Sequence, residues 1–178
     1  MKRTGKAKAI KPRNTVFTHC LLRKARKPVD YLQKTLYRAV NEKWKLRDIH
    51  RYSRLLINSY YNKIIAIDKI THLNMGKKTA GIDGIKIKIT SSQQLQSLIR
   101  KLEFALNRNK WKPSPNRRID IPKPDGTTRP LGIPTQFDRI VQYVLNSILE
   151  IDVEHLIHSN KLNSFGFRRK FVCRKKCQ

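Results

Sequence analysis

Apolar residues along this chain fall into four helical stripes and one short alternating run, punctuated by glycine, proline and asparagine. From Asp30, which is placed to cap a first turn, Leu32, Leu36, Ala39 and Val40 share one face. A longer stripe of Leu46, Ile49, Leu56, Tyr60, Ile64, Ile67 and Ile70 predicts one helix from about Leu46 to His72. Asn74-Met75-Gly76 stops it, with Gly76 as the left-handed cap. Ile85, Ile87 and Ile89 alternate with lysines, as in a short strand. After a cap at Ser91 or Ser92, Leu95, Leu98, Ile99, Leu102, Ala105 and Leu106 form the cleanest amphipathic pattern in the chain.

Beyond the break at Trp111-Lys112-Pro113-Ser114-Pro115 comes a predicted β-hairpin. Arg118 to Ile121 alternates, Lys123-Pro124-Asp125-Gly126 turns, and Thr128 to Ile133 returns. Thr135 with Asp138 then opens a last helix in capping-box fashion, with Ile140, Val141, Val144, Leu145, Ile148 and Leu149 as its buried face. The pattern is that of an α+β protein, helical at its N-terminal side and carrying a hairpin packed on helices at its C-terminal side.

Charge changes the picture most. Forty Lys and Arg against 12 Asp and Glu give +28 over 178 residues. Such a field selects a polyanionic partner, by default nucleic acid. A membrane surface would need the cations on one face of a strongly apolar helix, whereas here they are spread along the whole chain, so no membrane partner is expected. The longest aliphatic run, Ile64-Ile65-Ala66-Ile67, is far short of the roughly 20 residues a spanning helix needs. Residues 1–29 hold ten of the cations and no acid, and read as a disordered basic arm, an RNA-gripping tail in preference to a transit peptide.

Catalytic chemistry is harder to find. No Walker loop, zinc-protease helix or nucleophile elbow is present, and the acids are scattered; Asp120, Asp125 and Asp138 each suit a local strand, turn or cap role. No catalytic or metal-ligating set is therefore expected. Cys173 and Cys177 could be half of a zinc site but have no second pair, and with Cys20 they read as free thiols. What remains is cationic: Arg117, Arg118, Lys123 and Arg129 around a rigid turn suit phosphates. Arg47, Arg51, Arg54 and Lys63 lie off the apolar stripe of their helix, and Lys77 and Lys78 open a glycine loop.

The run Arg117-Arg118-Ile119-Asp120-Ile121-Pro122-Lys123-Pro124-Asp125-Gly126, through Arg129-Pro130-Leu131-Gly132-Ile133-Pro134-Thr135 to Asp138-Arg139-Ile140-Val141-Gln142, resembles the fingers motif of group II intron-encoded reverse transcriptases, the maturases. Gly76-Lys77-Lys78-Thr79-Ala80-Gly81-Ile82-Asp83-Gly84 resembles the extra N-terminal motif of the same family. The stretch from Leu32-Gln33 through Tyr37, Leu55 and Ala66-Ile67 to Asn74 resembles its helical N-terminal domain, and Ser164-Phe165-Gly166-Phe167-Arg168 the start of its second fingers motif. The resemblance implies a helical N-terminal domain over 30–76, a fingers-like region over 77–168 and a divergent basic tail over 169–178.

It implies further that Lys123 and Arg129 face the phosphates of an incoming nucleotide. Arg47, Arg51, Arg54, Lys63, Lys77, Lys78, Arg117 and Arg118 are the candidates for holding RNA, group II intron RNA above all. The family's palm, with its metal-binding aspartate and Tyr-x-Asp-Asp turn, has no counterpart in these 178 residues. On that reading the chain is truncated before the palm and inactive by itself as an RNA-directed DNA polymerase. It needs no cofactor alone, whereas a complete enzyme needs magnesium, and a separately encoded chain would supply palm and thumb. The alternatives are a basic RNA chaperone or ribosome-associated protein, and a decayed gene fragment. Lys, Ile and Asn, all with A/T-rich codons, number 23, 19 and 11. That favours an organelle, the plastid first, over the bacterial cytoplasm, with the mitochondrion as the other organellar choice.

Overall fold

The computed structural model describes residues 16–107 and 111–159. Among these described residues, five helices run in the order α1 (His19–Asn41), α2 (Leu46–Asn58), α3 (Tyr60–Asp68), α4 (Ser92–Leu106) and α5 (Gln136–Ser159). One antiparallel hairpin, β1 (Arg117–Pro122) and β2 (Thr128–Ile133), lies between α4 and α5. The architecture is α+β.

The first helix starts well before Asp30. Thr18 caps it by accepting a hydrogen bond from the Leu21 amide at 3.2 Å, and Pro28 lies inside it. Its buried stripe of Leu22, Ala25, Val29, Leu36 and Ala39 runs through the proline without a change of phase. An interior proline costs a helix about 3 kcal/mol. Full burial of Leu22 and Val29, about 1.5–3 kcal/mol each, offsets that. The expected disordered arm over 1–29 is thus corrected for its second half, where residues 19–29 are helical and Asp30 is an exposed mid-helix residue; residues 1–15 lie outside the described set.

The second stripe also folds differently from expectation. Ser59 adopts φ −57°, ψ 121° and splits it into α2 and α3. The break deprives the end of α2 of helical partners for its carbonyls. Side chains from the next turn supply them: the Asn62 amide donates to the Leu56 carbonyl at 3.0 Å, and the Lys63 ammonium to the Asn58 carbonyl at 2.9 Å. α3 ends in one π turn, Lys69–Leu73, followed by a 3₁₀ turn, Met75–Lys78. Asn74, in extended conformation, stops the π turn; Gly76 has no positive φ and is not the cap.

Two apolar clusters make the core. One joins Phe17 and Leu22 to Ile64 and Ile67 of α3, Leu98 and Leu102 of α4, and Ile140, Val141 and Val144 of α5. The other joins Val29 and Leu36 of α1 and Leu56 of α2 to Ile148 and Ile151 of α5. A buried polar knot ties α1, α3 and α5: the Asn62 amide donates to Ser147 Oγ at 3.0 Å, and Gln33 Nε2 to the Ser147 carbonyl at 3.2 Å.

The predicted α4 stripe and its Ser91 cap are present, with Ser91 accepting from the Gln94 amide at 3.3 Å. The predicted strand over Ile85–Ile89 is not; that segment is irregular. The hairpin is present, but every residue of its two strands except Arg117, Ile121 and Ile133 is exposed. It projects from the helices instead of lying packed on them, because the prolines at 122 and 130 and the charges at 118, 120 and 129 leave it little apolar surface to bury.

Candidate nucleic-acid interface

The cations expected to act together divide into three surfaces. On α2, Arg47, Arg51 and Arg54 follow the i, i+4, i+7 spacing of one helical face, and all are exposed. With His50, Leu55 and Asn58 they line a shallow surface depression of about 500 Å³, in which Asp48 is the single acid. Lys63 does not belong there. It is 2% exposed, and its ammonium lies 3.2 Å from Glu103 as well as bonding the Asn58 carbonyl. Its assignment to an RNA surface is corrected: it closes the gap that Ser59 opens between α2 and α3.

On the hairpin, the pairing Arg117↔Ile133 through Pro122↔Thr128 sets the faces. Directly paired residues lie on the same side of a sheet and neighbours in a strand on opposite sides. Arg117 and Arg129 therefore share a side with Ile119, Ile121, Leu131 and Ile133. Arg118 lies on the other and is paired at 3.1 Å with Asp120. Lys123 sits in the turn, its amide donating to the Thr127 carbonyl at 2.8 Å, and Gly126 takes the left-handed conformation there (φ 78°). The Thr127 hydroxyl and amide both donate to Asp125, holding its carboxyl below the usual range. Lys123 and Arg129 are thus displayed on an ordered, exposed ribbon. The four hairpin cations do not converge on one point.

The third surface is the connection from the π turn to α4. Lys77 and Lys78 are exposed at its start, the Lys77 ammonium donating to the His72 carbonyl at 2.6 Å. Gly81 packs against the start of α5 so closely that a Cβ would lie 2.6 Å from the Thr135 Cα. Thr135 and Asp138 cap α5 as the spacing implies: the Thr135 hydroxyl accepts from the Asp138 amide at 3.1 Å and donates to its carboxylate at 2.7 Å. That carboxylate also accepts from the Trp111 indole at 3.1 Å and the Ser114 amide at 3.2 Å, fastening the stretch before β1.

Three features escaped sequence reasoning. Arg23, Lys24, Arg26 and Lys27, in the acid-free run read as a disordered arm, lie exposed along α1 together with Lys34 and Arg38. Gln136, 1% exposed, bonds the loop backbone on two sides, and polarity alone gave no sign of that. Arg139 donates to three carbonyls; burial first, then the nearby Arg117 charge, pulls its pKa below the ordinary guanidinium range, with Asp83 opposing. Among the described residues no three His, Cys, Asp or Glu are grouped to hold a metal ion, and no helix is long and apolar enough to cross a membrane. Cys20 is exposed and unpaired; Cys173 and Cys177 lie outside the described residues.

Residues 19–102 match the family described as the N-terminal domain of reverse transcriptase. Among curated proteins, the chain is 35% identical over 115 residues to the "Putative COX1/OXI3 intron 2 protein" of Saccharomyces cerevisiae, covering 64% of this chain and 12% of that protein. It is 37% identical over 100 residues to the Escherichia coli protein YkfC, covering 56% of this chain and 25% of that one. The yeast "Putative COX1/OXI3 intron 1 protein" is 36% identical over 75 residues, 42% of this chain and 9% of its own length. The chain thus spans a quarter or less of the curated relatives it matches.

Proposed function

From the match of residues 19–102 to the N-terminal domain of reverse transcriptase and the similarity to two yeast intron proteins, we propose that this chain is the N-terminal part of a maturase-type reverse transcriptase and binds structured RNA, group II intron RNA in particular. The observation that carries this reading is the α2 face, where Arg47, Arg51 and Arg54 stand exposed around one depression with a single acid among them. Solvated charges of one sign, held on a rigid helix at repeat distances of one and two turns, suit successive phosphates.

Lys123 and Arg129, on the same reading, meet the phosphates of an incoming nucleotide. Nucleotide transfer needs magnesium held by carboxylates such as those of the palm, and the Tyr-x-Asp-Asp turn is not among these 178 residues. We therefore assign palm and thumb to further polypeptide, joined to this region or separately encoded, and assign RNA holding, which needs no cofactor, to the region itself. The compartment we propose is an organelle, in keeping with the yeast relatives. The plastid preference drawn from composition finds no support among the relatives, and the E. coli protein keeps a bacterial cytoplasm in view.

The test is competition binding. A folded group II intron should displace bulk RNA of equal length at physiological salt. With about 6–10 phosphates neutralised, log K against log salt should have a slope of roughly −4 to −9. Replacing Arg47, Arg51 and Arg54 by Gln should flatten that slope by about 2–3. An unchanged slope overturns the assignment to α2. Equal competition by the two RNAs favours the second reading, a general RNA chaperone, which the cations along α1 support.

A further inference from the structure

The connection between the π turn and α4 has no strand and only one short 3₁₀ turn, yet it is held at both ends by two side chains from the first turn of α5. Gln136 accepts from the Ile87 amide at 2.6 Å and donates to the Lys77 carbonyl at 2.8 Å. The guanidinium of Arg139 donates from Nη1 to the Gly76 carbonyl, from Nη2 to the Thr79 carbonyl and from Nε to the Pro134 carbonyl, each at 3.0 Å. The carbonyls of Gly76, Lys77 and Thr79 therefore all end on α5, one residue pair beyond the end of β2. Gly81, whose missing Cβ admits the Thr135 backbone, completes the docking.

This arrangement is more than is needed to keep a surface loop closed. Lys77 and Lys78 lie between the carbonyls that are held, and their own side chains stay exposed. The His72 carbonyl takes one proton of the Lys77 ammonium, leaving two for an outside acceptor. Ordering a lysine-bearing backbone before binding removes that entropy from the cost of association. We propose that Gln136 and Arg139 are positioning residues, which hold Lys77 and Lys78 as a preordered phosphate-binding edge beside the base of the hairpin. The inference rests on the RNA-binding reading above and adds to it the residues that set the geometry of this edge.

Gln136→Met provides the test. The residue is neutral and 1% exposed, so its replacement changes no charge and removes no contact with RNA. Arg139→Lys, which keeps the charge but loses the planar fork, is the second variant in case the first does not fold. Amide hydrogen exchange should quicken at Ile87 and across residues 76–89 while the unfolding transition stays cooperative. The RNA salt slope should flatten by up to about 1.4–1.8, two contacts' worth, and affinity at 0.15 M salt should fall about tenfold.

The deciding arm is a cycle with Lys77→Gln plus Lys78→Gln. In the wild-type background this pair should flatten the slope; in the Gln136→Met background it should add little. Full additivity, or faster exchange with wild-type slope and affinity, overturns the positioning role, since a merely structural side chain lowers the folded fraction and not the slope. If wild-type protein binds RNA weakly and without salt dependence, the RNA-binding reading itself is what has failed.

Discussion

Replacing Lys63 by methionine separates structural from RNA-facing cations most sharply. The substitution keeps the methylene packing of a side chain that is 2% exposed, and removes its ammonium. Two interactions go: a charge-assisted hydrogen bond to the Asn58 carbonyl at 2.9 Å, and an ion pair with Glu103 at 3.2 Å. A hydrogen bond to a charged group contributes about 1.5–3 kcal/mol. Breaking a fully buried pair would cost about 3–5 kcal/mol, but the Glu103 side chain is 51% exposed and recovers water. The net loss should be about 2–3 kcal/mol. For a chain of this size that lowers the thermal midpoint by roughly 4–12 °C. Circular dichroism melts give the midpoint, and filter binding at several salt concentrations gives the RNA slope. The slope of Lys63→Met should equal that of the wild type, whereas Arg51→Ala should leave the midpoint within about 2 °C and flatten the slope by about 0.7–0.9. An unchanged midpoint with a flattened slope in Lys63→Met would refute the reasoning and return Lys63 to the RNA surface.

Gly81→Ala should destabilise by about 1–3 kcal/mol, because its Cβ meets backbone that has no rotamer to yield; urea denaturation measures it. Asp138→Ala should cost about 2–4 kcal/mol through the lost cap and the orphaned Trp111 and Ser114 donors, and should shift Trp111 fluorescence. Burial raises the Asp152 carboxyl above its usual range, with His155 opposing, so the folded state holds its proton more tightly than the unfolded chain. That group's contribution declines as pH rises through its titration range. Asp152→Asn should therefore gain stability at neutral pH, and the gain should vanish in acid, as paired unfolding titrations at pH 7 and pH 3 would register.

The elements that were legible in the sequence are those whose signals are local. Ser91 before an amphipathic run, a Pro-Asp-Gly turn between short extended segments, and Thr135 three residues before Asp138 each specify their structure from neighbours alone. The others depend on distant partners. The apolar period runs unbroken across Ser59, so the sequence hides the break; Asn62 and Lys63 make it tolerable, and only the folded chain shows what they bond. Ile85, Ile87 and Ile89 alternate as a strand should, but among the described residues no second strand lies alongside, and the Ile87 amide finds its acceptor in Gln136 of a helix. The basic, acid-free run before Asp30 reads locally as a solvated arm, but the tertiary burial of Leu22, Ala25 and Val29 holds it helical, even through Pro28. Of the candidate cations, those on α2 and the hairpin are exposed as polarity suggests, and Lys63 is not, because a lysine that serves a carbonyl carries the same letter as one that serves solvent.

α5 passes through both apolar clusters, lending Ile140, Val141 and Val144 to one and Ile148 and Ile151 to the other. The consequence concerns how the polypeptide comes to be folded at all. Chain up to the end of α4 has both half-cores but not the helix that closes them, so during synthesis it is expected to leave apolar surface uncovered. The first cluster needs α5 as far as Val144 and the second as far as Ile151, so neither is complete before α5 is made. Expression of a piece that stops before α5 should therefore yield a sticky, aggregation-prone product, not a smaller native protein, as its solubility and melting profile would register.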